Sequence, residues 1–419
     1  MPPDTDRSVT VVGAGIVGMA TACYLLRDGH KVTVIDRGAP GEGCSFGNAG
    51  GVSAGSCVPL ALPGILKKVP GWLRDPEGPL HIRLAYLPKA LPWLWRLLRA
   101  SRPAEVERIA DGLRALHKDT FDAYDPLLRW AGCTGLIQRR GQLLLYETEA
   151  ELKADAFGLK IRRDRGVQVE ILNQDELKQL EPALAPIFQH AAFLPEQGQC
   201  ANPFGLVQRL AAQFAADGGE IERAEVKSIE FGGDRPARLR TDQGVKPFNR
   251  LVIAAGAWSG ALAYQLRNPV PLESERGYHV TVADPGVATR IQAMWMRRAF
   301  VATPMDTGMR FAGTVELAGL DAPPNPARAK VLLDHGKRMV PGIDATKTTT
   351  WMGHRPGLPD TLPVIDRSPH FENVYLAFGH GHTGLIAGAV TGRIISDLIG
   401  GRTPSIDMTP YRIDRFRRS

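Results

Sequence analysis

Residues 8 to 36 read SVTVVGAGIVGMATACYLLRDGHKVTVID. The run divides into an apolar strand, a glycine turn, an amphipathic helix, a stop at Gly29 and a second apolar strand, which together make one βαβ unit. Each glycine has a physical task. Gly13 allows the tight turn, Gly15 lets the backbone come close to a diphosphate, and Gly18 lets the helix pack on the strand. Ala14, Ile16 and Val17 supply the rest of the turn, and the helix N-terminus then faces the anion with its unpaired N–H groups. Asp36 closes the second strand eighteen residues beyond Gly18. A carboxylate there can accept hydrogen bonds from a ribose hydroxyl pair, with Arg37 beside it. An acid at that point argues against a 2′-phosphate and so against NADP, while FAD and NAD both stay open.

Two distant stretches are suited to the same anion. Residues 219 to 256 run GEIERAEVKSIEF, then a polar turn, then RLVIAAGAWS with further residues of the return strand between. This reads as a strand whose Val226 backbone could touch adenine, a hairpin, and a return strand ending at Ala254, Ala255 and Gly256 beside the diphosphate, with Trp258 next to them. Residues 373 to 399, NVYLAFGHGHTGLIAGAVTGRIISDLI, read as a strand, a second glycine turn and a final helix that points its N-terminus at the cofactor.

In order and spacing, these motifs resemble the FAD-dependent amino-acid oxidoreductases of the D-amino-acid oxidase superfamily, most closely their bacterial D-amino-acid dehydrogenase branch. The resemblance covers nearly the whole chain. It is carried by GAGIVG with Asp36, CSFGNAGGVS at 44–53, LEPAL at 180–184, NPFGL at 202–206, VIAAGAWS at 252–259, RGYH at 276–279, GHRPGLPDTLPVI at 353–365 and GHGHTG at 379–384. It implies that Ser45, Asn48, Ala49, Gly50 and Gly51 lie along the flavin side of the diphosphate. Gly353, Gly379 and the run His380, Gly381, His382, Thr383 and Gly384 would approach the isoalloxazine ring. Arg355 matches the arginine that clamps a substrate carboxylate, a task suited to a planar, two-pronged cation. Tyr278 would be a second carboxylate or amine contact, and His382 or Tyr278 could assist with protons. His354 stands where the branch often has Leu, and Asn202 where it has Asp.

The implied reaction is FAD-dependent oxidation of the C–N bond of a D-amino acid or a cyclic imino acid such as a hydroxy-D-proline, by hydride transfer to flavin N5, giving an imine or 2-oxo acid. The alternatives are a secondary amine of the sarcosine or opine type, a 2-hydroxy acid, an NAD-dependent dehydrogenase, or a non-catalytic subunit of a flavin complex. Oxygen and a quinone both stay open as electron acceptor. The expected fold is α/β, with a discontinuous Rossmann-type FAD-binding domain over 1–58, 196–270 and 343–419 and an α+β substrate-binding domain with a mostly antiparallel sheet over 59–195 and 271–342.

Composition bounds the rest. The 419 residues exceed what one core usually serves, and 44% hydrophobic with 23% charged residues is ordinary globular usage. The formal charge of +7 is mild and no dense basic run precedes the tail, so nucleic acid is not expected as a partner. The tail at 412–418, with four arginines around Asp414, reads as a soluble end. Cys23, Cys44, Cys57, Cys133 and Cys200 have no CxxC spacing and read as reduced, inert thiols, and no metal site is expected. The start, with Asp4 and Asp6 ahead of the first strand, lacks a secretory signal, so the expectation is a cytoplasmic protein, with a peripheral visit to the inner face of the plasma membrane as the open alternative. For that visit the candidate is 80–98, which holds Trp93 and Trp95 between Arg83, Lys89 and Arg96 and is expected to be broken by Pro88 and Pro92. Trp93, Trp95, Trp295 and Trp351 are expected to serve packing rather than to wall a site.

Overall fold

The computed structural model describes residues 7–416. Asp4 and Asp6 at the start, and Arg417 and Arg418 of the tail, lie outside them.

The β-branched run at the start forms a strand, Ser8–Val12, buried on both faces as a central parallel strand must be. It pairs in parallel with Lys31–Asp36 on one side and Arg250–Ile253 on the other. The full sheet runs Glu220–Arg223, Lys31–Asp36, Ser8–Val12, Arg250–Ile253, Val374–Phe378, Val364–Arg367, and only the last strand is antiparallel to its neighbour. Strands from the first, middle and last parts of the chain therefore end side by side. The helix Ile16–Arg27 follows the glycine turn and stops where Gly29, at φ 83°, takes the left-handed conformation.

The helix Gly384–Ile399 lies against Ile16–Arg27 at very short range. A side chain on Gly392 would meet the Ala20 carbonyl at 2.8 Å, and one on Gly388 would meet Ile16 at 3.2 Å. Small residues thus let the two backbones touch, and both helices bring their N-termini to the same end of the sheet.

The second layer is a nine-stranded sheet in the order Thr348–Gly357, Glu273–Val282, Gly308–Leu317, Phe300–Met305, Gln292–Trp295, Gln142–Tyr146, His190–Leu194, Glu170–Asn173, with Leu80–Ile82 attached to Gly308–Leu317. It is antiparallel except where Gln142–Tyr146 meets Gln292–Trp295 and where Leu80–Ile82 joins. One of its faces is covered by the helix Pro326–Met339, over a core that includes Trp295, Phe300, Phe311 and Leu332. The span 219–256 is more elaborate than one hairpin: the expected first strand splits into Glu220–Arg223 in the parallel sheet and Val226–Gly232 in a separate three-stranded antiparallel sheet.

Two expectations are corrected. Pro92 does not break its segment, because Leu87–Ala100 is one helix that starts one residue before Pro88 and runs through Pro92. Pro88, at the second helical position, lacks an N–H that would have no intrahelical partner there. The tail as far as 416 is not loose either. Tyr411 is fully buried and donates to the Gly112 carbonyl at 2.6 Å, and Arg415 pairs with Asp360 at 2.7 Å.

The helix contact yields a test. Gly392→Val has no space beside Ala20 and should destabilise the protein by about 1–3 kcal/mol, as overpacking does. Gly71→Ala, in a helix where an added Cβ meets nothing within 4 Å, should leave the thermal midpoint unchanged or higher. Equal midpoints for the two variants would contradict the packing described.

Candidate active site

A cavity of about 1250 Å³ lies between the two large sheets. That exceeds the roughly 300–1,000 Å³ of a site for one small molecule. It begins at the glycine turn. Gly13 sits at φ 113°, and a Cβ there would fall 2.3 Å from the Ala254 carbonyl oxygen; one on Gly18 would fall 1.8 Å from the Gly13 oxygen. Gly15 differs, since its Cβ would meet only Ser45 Oγ, at 3.5 Å. The turn is packed on its inner side and open over Gly15, the shape an approaching diphosphate requires.

Asp36 accepts from the Ala14 N–H at 2.7 Å and the Gly38 N–H at 2.9 Å, which fixes the carboxylate beside the turn with lone pairs to spare. Arg37 stacks 3.6 Å from the centroid of the Trp258 ring. The Ser45 hydroxyl accepts from the Ile16 N–H at 2.9 Å, binding residues 44–51 to the helix start. From the other side, Arg310 donates to the carbonyls of Phe46 and Asn48 at 3.0 and 2.8 Å, and Gln292 donates to that of Ala49 at 2.9 Å. Burial draws the Arg310 guanidinium down to about 10. Neither Arg310 nor Gln292 belongs to a recognisable motif, and both were missed by sequence reasoning.

Of the residues expected around a dinucleotide, Gly13, Ala14, Gly15, Ile16, Val17, Asp36, Arg37, Ser45, Asn48, Ala49, Gly51, Val226, Ala255, Gly256, Trp258, Gly379, His380, Gly381, His382, Thr383 and Gly384 border the cavity. Gly18, Gly50 and Gly353 do not: Gly18 faces the turn, Gly50 packs against the Cys200 carbonyl, and Gly353 lies under the Trp351 indole. Within the set, the His380 imidazole is buried and shares a 2.9 Å hydrogen bond with Thr391 Oγ1 of the last helix. The tryptophans need correcting. Trp295 is pure core, but Trp93, Trp95 and Trp351 line the cavity. All five cysteines are free, and burial pushes the Cys44 thiol up to about 11 and Cys200 up to about 12, so neither is a reactive thiolate. Among the described residues no group of His, Cys, Asp and Glu is arranged to hold a metal ion.

Beyond the dinucleotide end, the cavity wall carries Arg355, His382 and Glu275. Arg355 lies directly opposite Glu275 in the antiparallel pair Thr348–Gly357 and Glu273–Val282. Its guanidinium passes over Gly277, where a Cβ would come within 2.1 Å of Cζ. Nη1 donates to the Thr314 carbonyl at 2.9 Å, and among the described residues Arg355 is in no ion pair. Thr314 has φ 57°, rare for a β-branched residue, and sits at the register shift between the strands Glu273–Val282 and Gly308–Leu317. The bulge is how a strand carbonyl comes to be aimed at the guanidinium.

His382 keeps 39% of its side chain open to the cavity, yet protein encloses the space around it; that enclosure and the Arg355 charge pull its imidazole down to about 3. Glu275 is 1% exposed, its Oε2 has no hydrogen-bond partner, and burial pushes its carboxyl up to about 7 against the pull of Arg355. Sequence reasoning missed Glu275, since a lone acid in ESERGYH carries no local signal.

Tyr278 borders the cavity, and its hydroxyl donates to Glu316 at 2.5 Å and accepts from the Asn325 N–H at 2.9 Å. Glu316 in turn pairs with Arg83 and Arg276. His354, left undecided by the sequence, borders the cavity with Nδ1 2.8 Å from Ser274 Oγ and its ring edge-on to Trp258. Asn202 does the work of an Asp at that point: its Oδ1 accepts from the Gly205 N–H at 2.7 Å and caps the helix Pro203–Ala216.

The profile of the family described as FAD dependent oxidoreductase matches residues 8–398. A D-amino-acid oxidase of Bradyrhizobium diazoefficiens is 41% identical, the match covering 98% of this chain and 99% of that one. A D-amino acid dehydrogenase of Paramagnetospirillum magneticum is 34% identical, over 97% of this chain and 98% of the other. Among solved structures, L-proline dehydrogenase from P. horikoshii superimposes with a TM-score of 0.73 at 18% identity, over 98% of each chain, and glycine oxidase from Bacillus cereus with 0.72 at 19%, over 94% and 95%. This chain belongs to the FAD dependent oxidoreductase family. Its cofactor is FAD, and the open space over Gly15 with the N-terminus of Ile16–Arg27 behind it fits that group's diphosphate.

The Arg310 contacts predict that Arg310→Met leaves two part-buried loop carbonyls without the donors they have now. FAD affinity should fall about tenfold or more, given the roughly 1.5–3 kcal/mol of hydrogen bonds to a charged group. Equilibrium dialysis against free FAD measures this, and an unchanged dissociation constant would remove Arg310 from the cofactor's support.

Proposed function

We propose that this chain oxidises the C–N bond of a D-amino acid or a cyclic imino acid of the hydroxy-D-proline type. The observation that carries the reading is Arg355: a half-buried guanidinium in no ion pair among the described residues, bordering the cavity and held by a carbonyl instead of a carboxylate. A partly desolvated cation in that condition is suited to receive a substrate carboxylate. Curated relatives at 41% and 34% identity over nearly the full length, named D-amino-acid oxidase and D-amino acid dehydrogenase, support the same reading.

In this reading bound FAD would supply the hydride acceptor, at flavin N5, and the substrate would leave as an imine that water hydrolyses to a 2-oxo acid. The chain's own residues bind and orient. Arg355 fixes the carboxylate, while Trp93, Leu94 and Leu97 offer an apolar wall for the substrate side chain. The FAD-binding unit is proposed to comprise 1–58, 196–270 and 343–419, and the substrate unit 59–195 and 271–342.

For the electron acceptor we favour a quinone reached by peripheral contact with the inner membrane face. Leu66, Leu91 and Trp95 border the cavity and are 58%, 54% and 61% exposed, beside exposed Lys67 and Lys89. Apolar and basic residues together suit an anionic bilayer surface. No helix among the described residues is long and apolar enough to cross a membrane.

Three results are expected. Purified protein is yellow, and D-amino acids bleach it anaerobically. Arg355→Lys, which loses the two-pronged fork, raises KM at least tenfold while flavin content stays at the wild-type level; an unchanged KM ends the clamp assignment. Stripping the FAD lowers the thermal midpoint, which re-addition restores in a concentration-dependent way.

A further inference from the structure

Glu275 stands out because a buried carboxyl with an unpartnered oxygen is costly unless something uses it. Its Oε1 side lies over Gly357, where a Cβ would come within 2.1 Å, and its Oε2 lies 3.5 Å from His382 Nδ1. No hydrogen bond is made by His382 Nε2 among the described residues, and the ring is open to the cavity. Arg355 comes from the neighbouring strand and Cys44 lies against Arg355; Glu273, two residues back, is held by the Tyr86 hydroxyl at 2.9 Å. None of these takes the free oxygen of Glu275.

We propose that Glu275 and His382 form the proton acceptor for the substrate's ammonium group, with Glu275 positioning the imidazole so that Nδ1 carries a proton and Nε2 presents a lone pair to the cavity. This rests on the reading that the substrate is an amino acid. The step breaks one N–H bond of the ammonium and forms one on Nε2, with no other bond changed and no electron transferred. The neutral amine is then the species from which the α-hydrogen can leave. The new imidazolium would sit beside the cationic Arg355, and the Glu275 anion 3.5 Å away is what makes that charge tolerable.

The direction with pH follows. Below about 7 Glu275 is protonated and donates to Nδ1, which places the imidazole proton on Nε2 and closes the acceptor; above it the carboxylate accepts from Nδ1–H and opens it. In the holoenzyme, kcat/KM for a D-amino acid should rise with pH along a limb of apparent pKa near 7. Glu275→Gln should move that limb upward by more than a unit toward the pKa of the free amine, with a loss of about a hundredfold at pH 7.5. His382→Gln should do the same, and the double variant should lose no more than either single one, as groups acting as a unit do.

A second measurement does not need turnover. In 15N-histidine spectra, the His382 signals, assigned by their loss in His382→Gln, should switch from Nε2–H to Nδ1–H as pH passes 7 in wild type and show no switch in Glu275→Gln. A loss in Glu275→Gln that is equal at every pH, or a His382 tautomer indifferent to pH, overturns the proposal. If wild-type flavin is bleached by no amino acid, the substrate reading fails instead, while the tautomer switch still decides the pairing. Should Glu275→Gln not fold, His382→Gln and the wild-type spectra decide it.

Discussion

At Gly13 and Gly18 the backbone is packed against itself and against Ala254 so closely that no side chain fits. Gly13 donates its N–H to the Ile35 carbonyl at 2.9 Å, Ala254 donates to the Val12 carbonyl at 2.8 Å, and the Gly13 oxygen lies where a side chain on residue 18 would be. Three strands from separate parts of the chain are locked together at one point, and the helix begins there with its amides directed outward. Everything farther along the cavity is measured from that knot. Residues 44–51 are tied to the helix start through Ser45, and the second sheet is tied to those residues through Arg310 and Gln292. Placement of Arg355 relative to the diphosphate thus depends on a chain of short polar contacts rather than on one rigid element.

The far end of the cavity is governed by charge balance. Arg276 and Arg83 both pair with Glu316, which also accepts from the Tyr278 hydroxyl, so that carboxylate is fully engaged. Arg355 is left outside that cluster. Successive strand residues point to opposite faces, and this separates Arg276 and Tyr278 from Glu275 and Gly277 and divides a spent ionic cluster from an available one. The bulge at Thr314 adds the carbonyl that steadies Arg355 without cancelling its charge.

The nucleotide half was legible because its signals are local. A glycine turn between an apolar strand and a helix constrains the backbone within a dozen residues, and Asp36 and Ser45 follow at short separations. Arg355 was legible only through resemblance. The partners that orient Tyr278 and His380 could not be read from the sequence because they lie far off or across helix turns: Glu316 and Asn325 for the hydroxyl, Thr391 for the imidazole. Glu275 had no signal at all, since its importance comes from what it lacks. LEPAL was a motif without chemistry of its own; Glu181 holds the backbone of Arg290 and Ile291 at 2.8 and 2.6 Å. Trp351 stacks on His279 at 5.3 Å and lies over Gly47 and Gly353, a wall built from three separated segments.

The order in which the cradle is assembled follows from where its pieces lie along the chain. The turn at Gly13 is synthesised before its companions near Ala254, and the helix starting at Gly384 comes later still. The place for the flavin is therefore completed only once that helix has been made, and the early turn waits on distant segments for its walls.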